Sequence, residues 1–146
     1  MSASFKHKLI NMFREVLLYH STSLTFRAKI LTLYVLGDDG SISECEADSL
    51  REIANKIYPK NPDRVEILLE VVREYYDKIT EHNNLVYDSL IKSIIDDIHR
   101  KPHFVRKIDL ALYPALKTCL TREEDQIFHD RITDFLRNLK EDHEKL

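Results

Sequence analysis

Leu33-Tyr34-Val35-Leu36-Gly37-Asp38-Asp39-Gly40-Ser41-Ile42-Ser43-Glu44-Cys45-Glu46 decides the fold class, and it contains both glycines of the chain. An apolar run stops at Gly37, a residue suited to the left-handed backbone that ends a helix. Ser43 is followed three residues on by Glu46. In such a capping box the serine hydroxyl and the glutamate carboxylate satisfy free N–H groups at a helix start. The stretch therefore reads as helix, short loop, helix.

The segment before the loop, from about Leu24 to Leu36, is apolar almost all round: Phe26, Ala28, Ile30, Leu31, Leu33, Tyr34 and Val35. A helix without a polar face belongs at the centre of a domain. Ahead of it, Ser21-Thr22-Ser23 breaks the pattern. An earlier amphipathic segment sets Phe5, Leu9, Met12 or Phe13, Val16 and Leu17 against Lys6, Lys8 and Arg14. Core packing is the ordinary use of such a stripe, but it also suits a membrane surface or a partner's groove.

Helical periodicity continues after the loop. A helix opening near Ser43 buries Ala47, Leu50, Ile53, Ala54 and Ile57, and Pro59 stops it. Asn61-Pro62-Asp63 combines an Asn cap, a proline at the first helical position and an acidic first turn. The helix it starts carries Val65, Leu68, Leu69, Val72, Tyr75 or Tyr76, and Ile79. One ring of the Tyr75-Tyr76 pair is expected near the surface as a contact patch. After Glu81-His82-Asn83-Asn84, the next helix carries Val86, Leu90, Ile91, Ile94, Ile95 and Ile98. A sixth follows Pro102, with Val105, Ile108, Ala111, Leu112, Leu116 and Cys119, and Pro114 should kink or break it. Thr121-Arg122-Glu123-Glu124 is a second capping box. It opens a last helix with Ile127 or Phe128, Ile132, Phe135, Leu136 and Leu139, and a charged tail runs from 140 to 146.

Two stretches recur. Leu31-Thr32-Leu33-Tyr34 matches Leu110-Ala111-Leu112-Tyr113, and Ile42-Ser43-Glu44-Cys45-Glu46 matches Leu120-Thr121-Arg122-Glu123-Glu124, with one residue lost between the blocks. The expectation is an all-α, single-domain bundle of about seven helices spanning 1–146. It would contain two pseudo-repeated helix–loop–helix units, near 24–58 and 103–139. The second loop, Ala115-Leu116-Lys117-Thr118-Cys119, lacks the paired acids and the glycines.

Composition agrees with a packed helical domain. Of 146 residues, 43% are hydrophobic and 32% charged, with two glycines and four prolines. A net charge of -3 gives no footprint for a nucleic-acid partner. Five basic residues (Lys6, Lys8, Arg14, Arg27 and Lys29) face one acid, Glu15, before Gly37, so the remainder is the acidic part. The longest apolar stretch, Ile30 to Leu36, is far short of the roughly 20 residues of a membrane span. No leading segment joins an apolar run to a small-residue cleavage site, so no signal peptide is read. Cys45 and Cys119 do not make a disulfide framework and suit a reducing cytoplasm.

Asp39, Gly40, Ile42, Ser43 and Glu46, with the apolar run before them and Leu50 and Ile53 after, resemble the TerB family of tellurite-resistance proteins. The N-terminal helical domain of membrane-bound DnaJ-like co-chaperones is similar. The resemblance covers residues 24–76 well and continues more faintly to Leu139. It implies a helical bundle with internal pseudo-repetition, a non-enzymatic role in stress response or membrane-linked complexes, and divalent-metal binding through acids at Asp39 and Glu46. It also implies a protein partner. A homodimer is a further expectation.

Read on its own chemistry, the loop is half of a calcium loop. With Gly40 at the sixth position, Asp39, Ile42, Ser43 and Glu46 fall at five, eight, nine and twelve. Positions one and three fall on Val35 and Gly37, which offer no side-chain oxygen. The candidate metal ligands are Asp38, Asp39 and Glu46, for calcium, magnesium or manganese, with Ser43 and Glu44 as further oxygens. A purely structural reading explains Gly40 as a turn, Ile42 as a staple, and Ser43 with Glu46 as a cap. Only Asp38 and Asp39 exceed what it needs.

Elsewhere, His99 and His103, with Asp96 and Asp97 near, have zinc-ligand spacing, though Pro102 intervenes. This is the one route to a metal-dependent enzyme. His129-Asp130 reads as an exposed pair. Cys45, near a helix N-terminus, has the setting of an activated thiol without a neighbouring base. No nucleotide-binding glycine loop or nucleophile elbow occurs, and no catalytic residue is assigned.

Overall fold

A computed structural model of the chain describes residues 22–36, 41–81 and 85–144. Over them the protein is helical throughout, without strands. The elements are α1 (Ser23–Val35), α2 (Glu44–Ile57), α3 (Pro62–Glu81), α4 (Leu85–Arg100), a 3-10 helix η1 (Pro102–Lys107), the single-turn α5 (Pro114–Lys117) and α6 (Glu123–Glu144). The amphipathic segment expected at 5–17 lies outside the described residues.

Local chemistry fixes the starts of the first three helices. Thr22 caps α1: its hydroxyl accepts from the Thr25 N–H at 3.1 Å, and the Thr25 hydroxyl oxygen accepts from the Thr22 N–H at 3.0 Å. The Asn61 side-chain oxygen accepts from the Arg64 N–H at 3.2 Å, with Pro62 in the first turn of α3 as its fixed φ favours.

α1 is the centre. From Thr25 to Val35 only Arg27 is less than fully buried. The helix packs on α3, α4, η1 and α6. Its polar groups are satisfied inside: the Thr32 hydroxyl donates to the Ala28 carbonyl at 2.7 Å. The Lys29 ammonium donates to the Asp97 carboxylate of α4 at 2.6 Å, with both side chains buried. Around α1 the core continues through Leu50, Ile53, Leu68, Val72, Ile94, Ile98, Ile108 and Leu136. Phe104 of η1 meets Phe26 with ring centres 5.2 Å apart. The far end of α6 is tied down by Lys140, whose ammonium donates to the Ile108 carbonyl at 2.9 Å.

The expected sixth helix does not form as one helix. Its apolar spacing is helical, but Pro102 and Pro114 each remove a backbone donor and restrict the residue before them. The chain instead makes η1, a turn and one turn of α5. The turn is built by Asp109, whose carboxylate accepts from the Ala111 N–H at 3.2 Å. The Asp109 N–H in turn donates to the Tyr113 hydroxyl at 3.3 Å. Leu110-Ala111-Leu112-Tyr113 therefore lies in a turn where its counterpart Leu31–Tyr34 is helical, and the first arm of the second unit differs from that of the first.

The second capping box also shifts. The first helical N–H bond in α6 runs from Gln126 to the Arg122 carbonyl at 3.1 Å, so the helix begins one residue later than Thr121 requires. Glu124 pairs with the Arg122 guanidinium at 2.9 Å.

The Lys29–Asp97 pair leads to a stability prediction. Removing Lys29 takes away the buried cation that Asp97 faces, and Arg100, 3.9 Å from Asp97, is exposed. In urea unfolding, Lys29→Met is expected to lose about 3–5 kcal/mol, and Lys29→Met/Asp97→Leu to regain most of it. Equal losses in the single and double variants would refute this role for the pair.

Candidate functional site

The loop after α1 is reached from both sides. The Leu36 N–H closes α1 on the Thr32 carbonyl at 3.1 Å. Residues 37–40, including candidates Asp38 and Asp39, lie outside the described residues. On the far side the Ser43 hydroxyl accepts from the Glu46 N–H at 3.1 Å, and the Glu46 carboxylate accepts from the Ser43 N–H at 3.2 Å. The capping box read from the sequence is thus present in full. It places Glu46 unusually: its side chain is folded back on the helix start and only 1% exposed. Of the candidate metal ligands, Glu46 alone is among the described residues, with one carboxylate oxygen engaged in the cap. Glu44 is exposed.

The expectation of two separate thiols is corrected. Cys45 and Cys119 are joined in a disulfide, with Cα atoms 5.7 Å apart and a separation of 74 positions in sequence. The bond is made because the start of α2 lies against α5. One turn further along α2, the Ser49 hydroxyl donates to the Ala115 carbonyl at 3.3 Å and lies 3.5 Å from the Cys119 sulfur. Cys45 is therefore not an activated thiol. No local signal in the sequence pairs them: Cys45 lies in the first turn of α2 and Cys119 in the turn after α5.

His99 and His103 do not converge on a metal. His99 packs beside the His143 ring at 5.9 Å, while His103 lies edge-on to Phe104 at 5.0 Å. Asp97 is turned into the core with Lys29. Among the described residues no group of three His, Cys, Asp or Glu side chains could hold an ion.

His129, expected at the surface, is instead buried, at 3% exposure, while Asp130 is exposed. Its ring lies 4.7 Å from that of Tyr34, which stacks on Tyr113 at 4.9 Å. The Tyr34 hydroxyl is 2.8 Å from that of Thr133. This cluster joins α1, the Asp109 turn and α6. The Tyr75-Tyr76 pair is likewise corrected: both rings are buried, because α3 turns a broad face to the core.

No protein-family model, curated protein or solved structure matches the chain.

Two predictions follow from these contacts. Reduction with dithiothreitol, or Cys45→Ser, is expected to lower stability in urea by about 2–4 kcal/mol, because the unfolded chain regains the freedom of a long loop. An unchanged midpoint would contradict that. For His129, burial holds the imidazole pKa below its ordinary 6.5, with Lys117 acting in the same direction and Asp130 opposing. The unfolded chain thus binds this proton more readily than the folded one. Its stabilising contribution is complete above pH about 6.5 and falls as the pH drops below that. Thermal melts of His129→Phe should show a shallower acid loss between pH about 6.5 and 5 than the parent; parallel curves would refute the assignment.

Proposed function

We propose that the chain is a non-enzymatic helical module of the TerB type, acting through a protein partner in a stress-related or membrane-linked setting. Its loop from Asp38 to Glu46 would respond to a divalent cation (calcium, magnesium or manganese). One observation carries the reading: a carboxylate, Glu46, is held almost fully buried at the start of α2, at the far side of the loop that bears Asp38 and Asp39. A buried carboxylate draws little solvation from water and gains most from a neighbouring cation.

The Ser43–Glu46 box favours a second reading, in which the same residues are a cap and the module is an adaptor without metal. The Ser43 hydroxyl and one Glu46 carboxylate oxygen have a structural use there, and a cap of this kind is worth about 1 kcal/mol on its own.

A cytoplasmic placement belongs to the proposal. It requires that the Cys45–Cys119 bond be one that cellular thiols make and break, since lasting disulfides belong to oxidising compartments. Among the described residues, no helix is long and apolar enough to cross a membrane.

Calorimetric titration of the oxidised chain separates the two readings. The metal-responsive reading expects saturable heat with calcium, magnesium or manganese, reduced at least tenfold in affinity by Asp39→Ala. No heat with any of the three leaves the adaptor reading in its place.

A further inference from the structure

The Cys45–Cys119 bond lies outside the elements that enclose α1. Those elements are α3, α4, η1 and α6, and none of them holds a cysteine. The bond instead ties the first turn of α2 to the turn after α5. It lies at the surface: Cys45 is exposed and Cys119 half-buried. Exposed disulfides are the labile ones, open to attack by a thiolate from solution.

The segment that the bond holds has few other ties. α5 is one turn of four residues, far too short to stand as an isolated helix, and Leu116 is its one buried residue. Beyond it the backbone closes mainly on itself. The Cys119 N–H donates to the Leu116 carbonyl at 3.2 Å, and the Leu120 N–H to the Lys117 carbonyl at 3.0 Å. The ties to neighbouring helices are single contacts. The Ser49 hydroxyl donates to the Ala115 carbonyl at 3.3 Å, the Gln126 side-chain amide donates to the Leu120 carbonyl at 3.0 Å, and Lys117 pairs with Asp130 at 2.9 Å. That ion pair is at the surface, where such pairs contribute at most about 1 kcal/mol. The covalent bond is therefore the strongest tie between this segment and α2.

We propose that the Cys45–Cys119 bond is a thiol-operated latch, whose reduction by a small thiol such as glutathione frees residues 117–121 from α2 while the core stays folded. Attack by a thiolate on the Cys45 sulfur forms a mixed disulfide and expels the Cys119 thiolate, beside the Ser49 hydroxyl at 3.5 Å. A second thiol then releases Cys45. The protein S–S bond is reduced, the S–S bond of oxidised glutathione forms, and the two thiol protons end on Cys45 and Cys119. The reverse exchange closes the latch. This is the consequence within the fold of the labile bond that a cytoplasmic placement requires. It does not rest on the metal-responsive reading, which is titrated in the oxidised chain.

Limited trypsin digestion of the full chain tests the latch, with the bond oxidised and in excess millimolar glutathione. The fragments are reduced before they are weighed, because Cys45–Cys119 would otherwise hold the two pieces together. Lys117 is the cleavage site inside the latched segment. Glutathione is expected to reduce the bond and to speed cleavage after Lys117 at least tenfold. Cleavage after Lys29 in α1 and Lys92 in α4 should remain far slower, and the helical circular dichroism should be retained. Cys45→Ser should show the fast Lys117 cut without glutathione, and Ser49→Ala, which keeps the bond, should not. A bond that resists glutathione, an unchanged rate at Lys117, or reduction that opens Lys29 and Lys92 as fast as Lys117 would overturn the proposal.

Discussion

A helix with no polar face must be enclosed on every side, and α1 imposes that constraint on the rest of the chain. Its thirteen residues bury almost everything from Thr25 to Val35. Apolar burial contributes about 25 cal/mol per Å², so exposing any side of this helix would be strongly unfavourable. The other elements supply the enclosure. α3 and α4 lie against it, η1 brings Phe104 to Phe26, and α6 brings His129 and Thr133 to Tyr34. The broad buried face of α3, with both Tyr75 and Tyr76 inside, reflects the same demand.

Enclosing α1 also buries Lys29, which needs a partner. Asp97 comes from α4 and meets it at 2.6 Å. The pair fixes how α4 sits on α1, since an ion pair in low dielectric tolerates little displacement. Next to it lies the Tyr75 hydroxyl, which finds no partner within the protein. The disulfide ties Cys45, in the first turn of α2, to Cys119, just after α5.

Much of this organisation was legible in the sequence, and what escaped it has a common cause. The all-round apolar run at 24–36, the Ser43–Glu46 box and the Asn61-Pro62 start are local signals, each carried by residues within one helical turn. They located α1, α2 and α3 almost to the residue. The failures involve distance or competition. Val105 through Leu116 has helical spacing, yet two prolines and the Asp109 turn outweigh it. Thr121 looks like a cap, but Arg122 takes the cap position and α6 begins at Glu123. His129, Lys29–Asp97 and Cys45–Cys119 depend on partners dozens of residues away, which periodicity cannot supply. For the candidate loop, the sequence identified the cap in full, and the structure added that Glu46 is buried in making it.

The central claim is that α1 is the enclosed element on which the fold depends. Native-state hydrogen exchange across a series of low denaturant concentrations tests it most directly. The account predicts that the amides of Ala28 through Val35 exchange only through global unfolding, with the highest protection in the chain and a full denaturant dependence. Exchange of these amides through a local opening, at a lower free energy than the amides of α6, would contradict it.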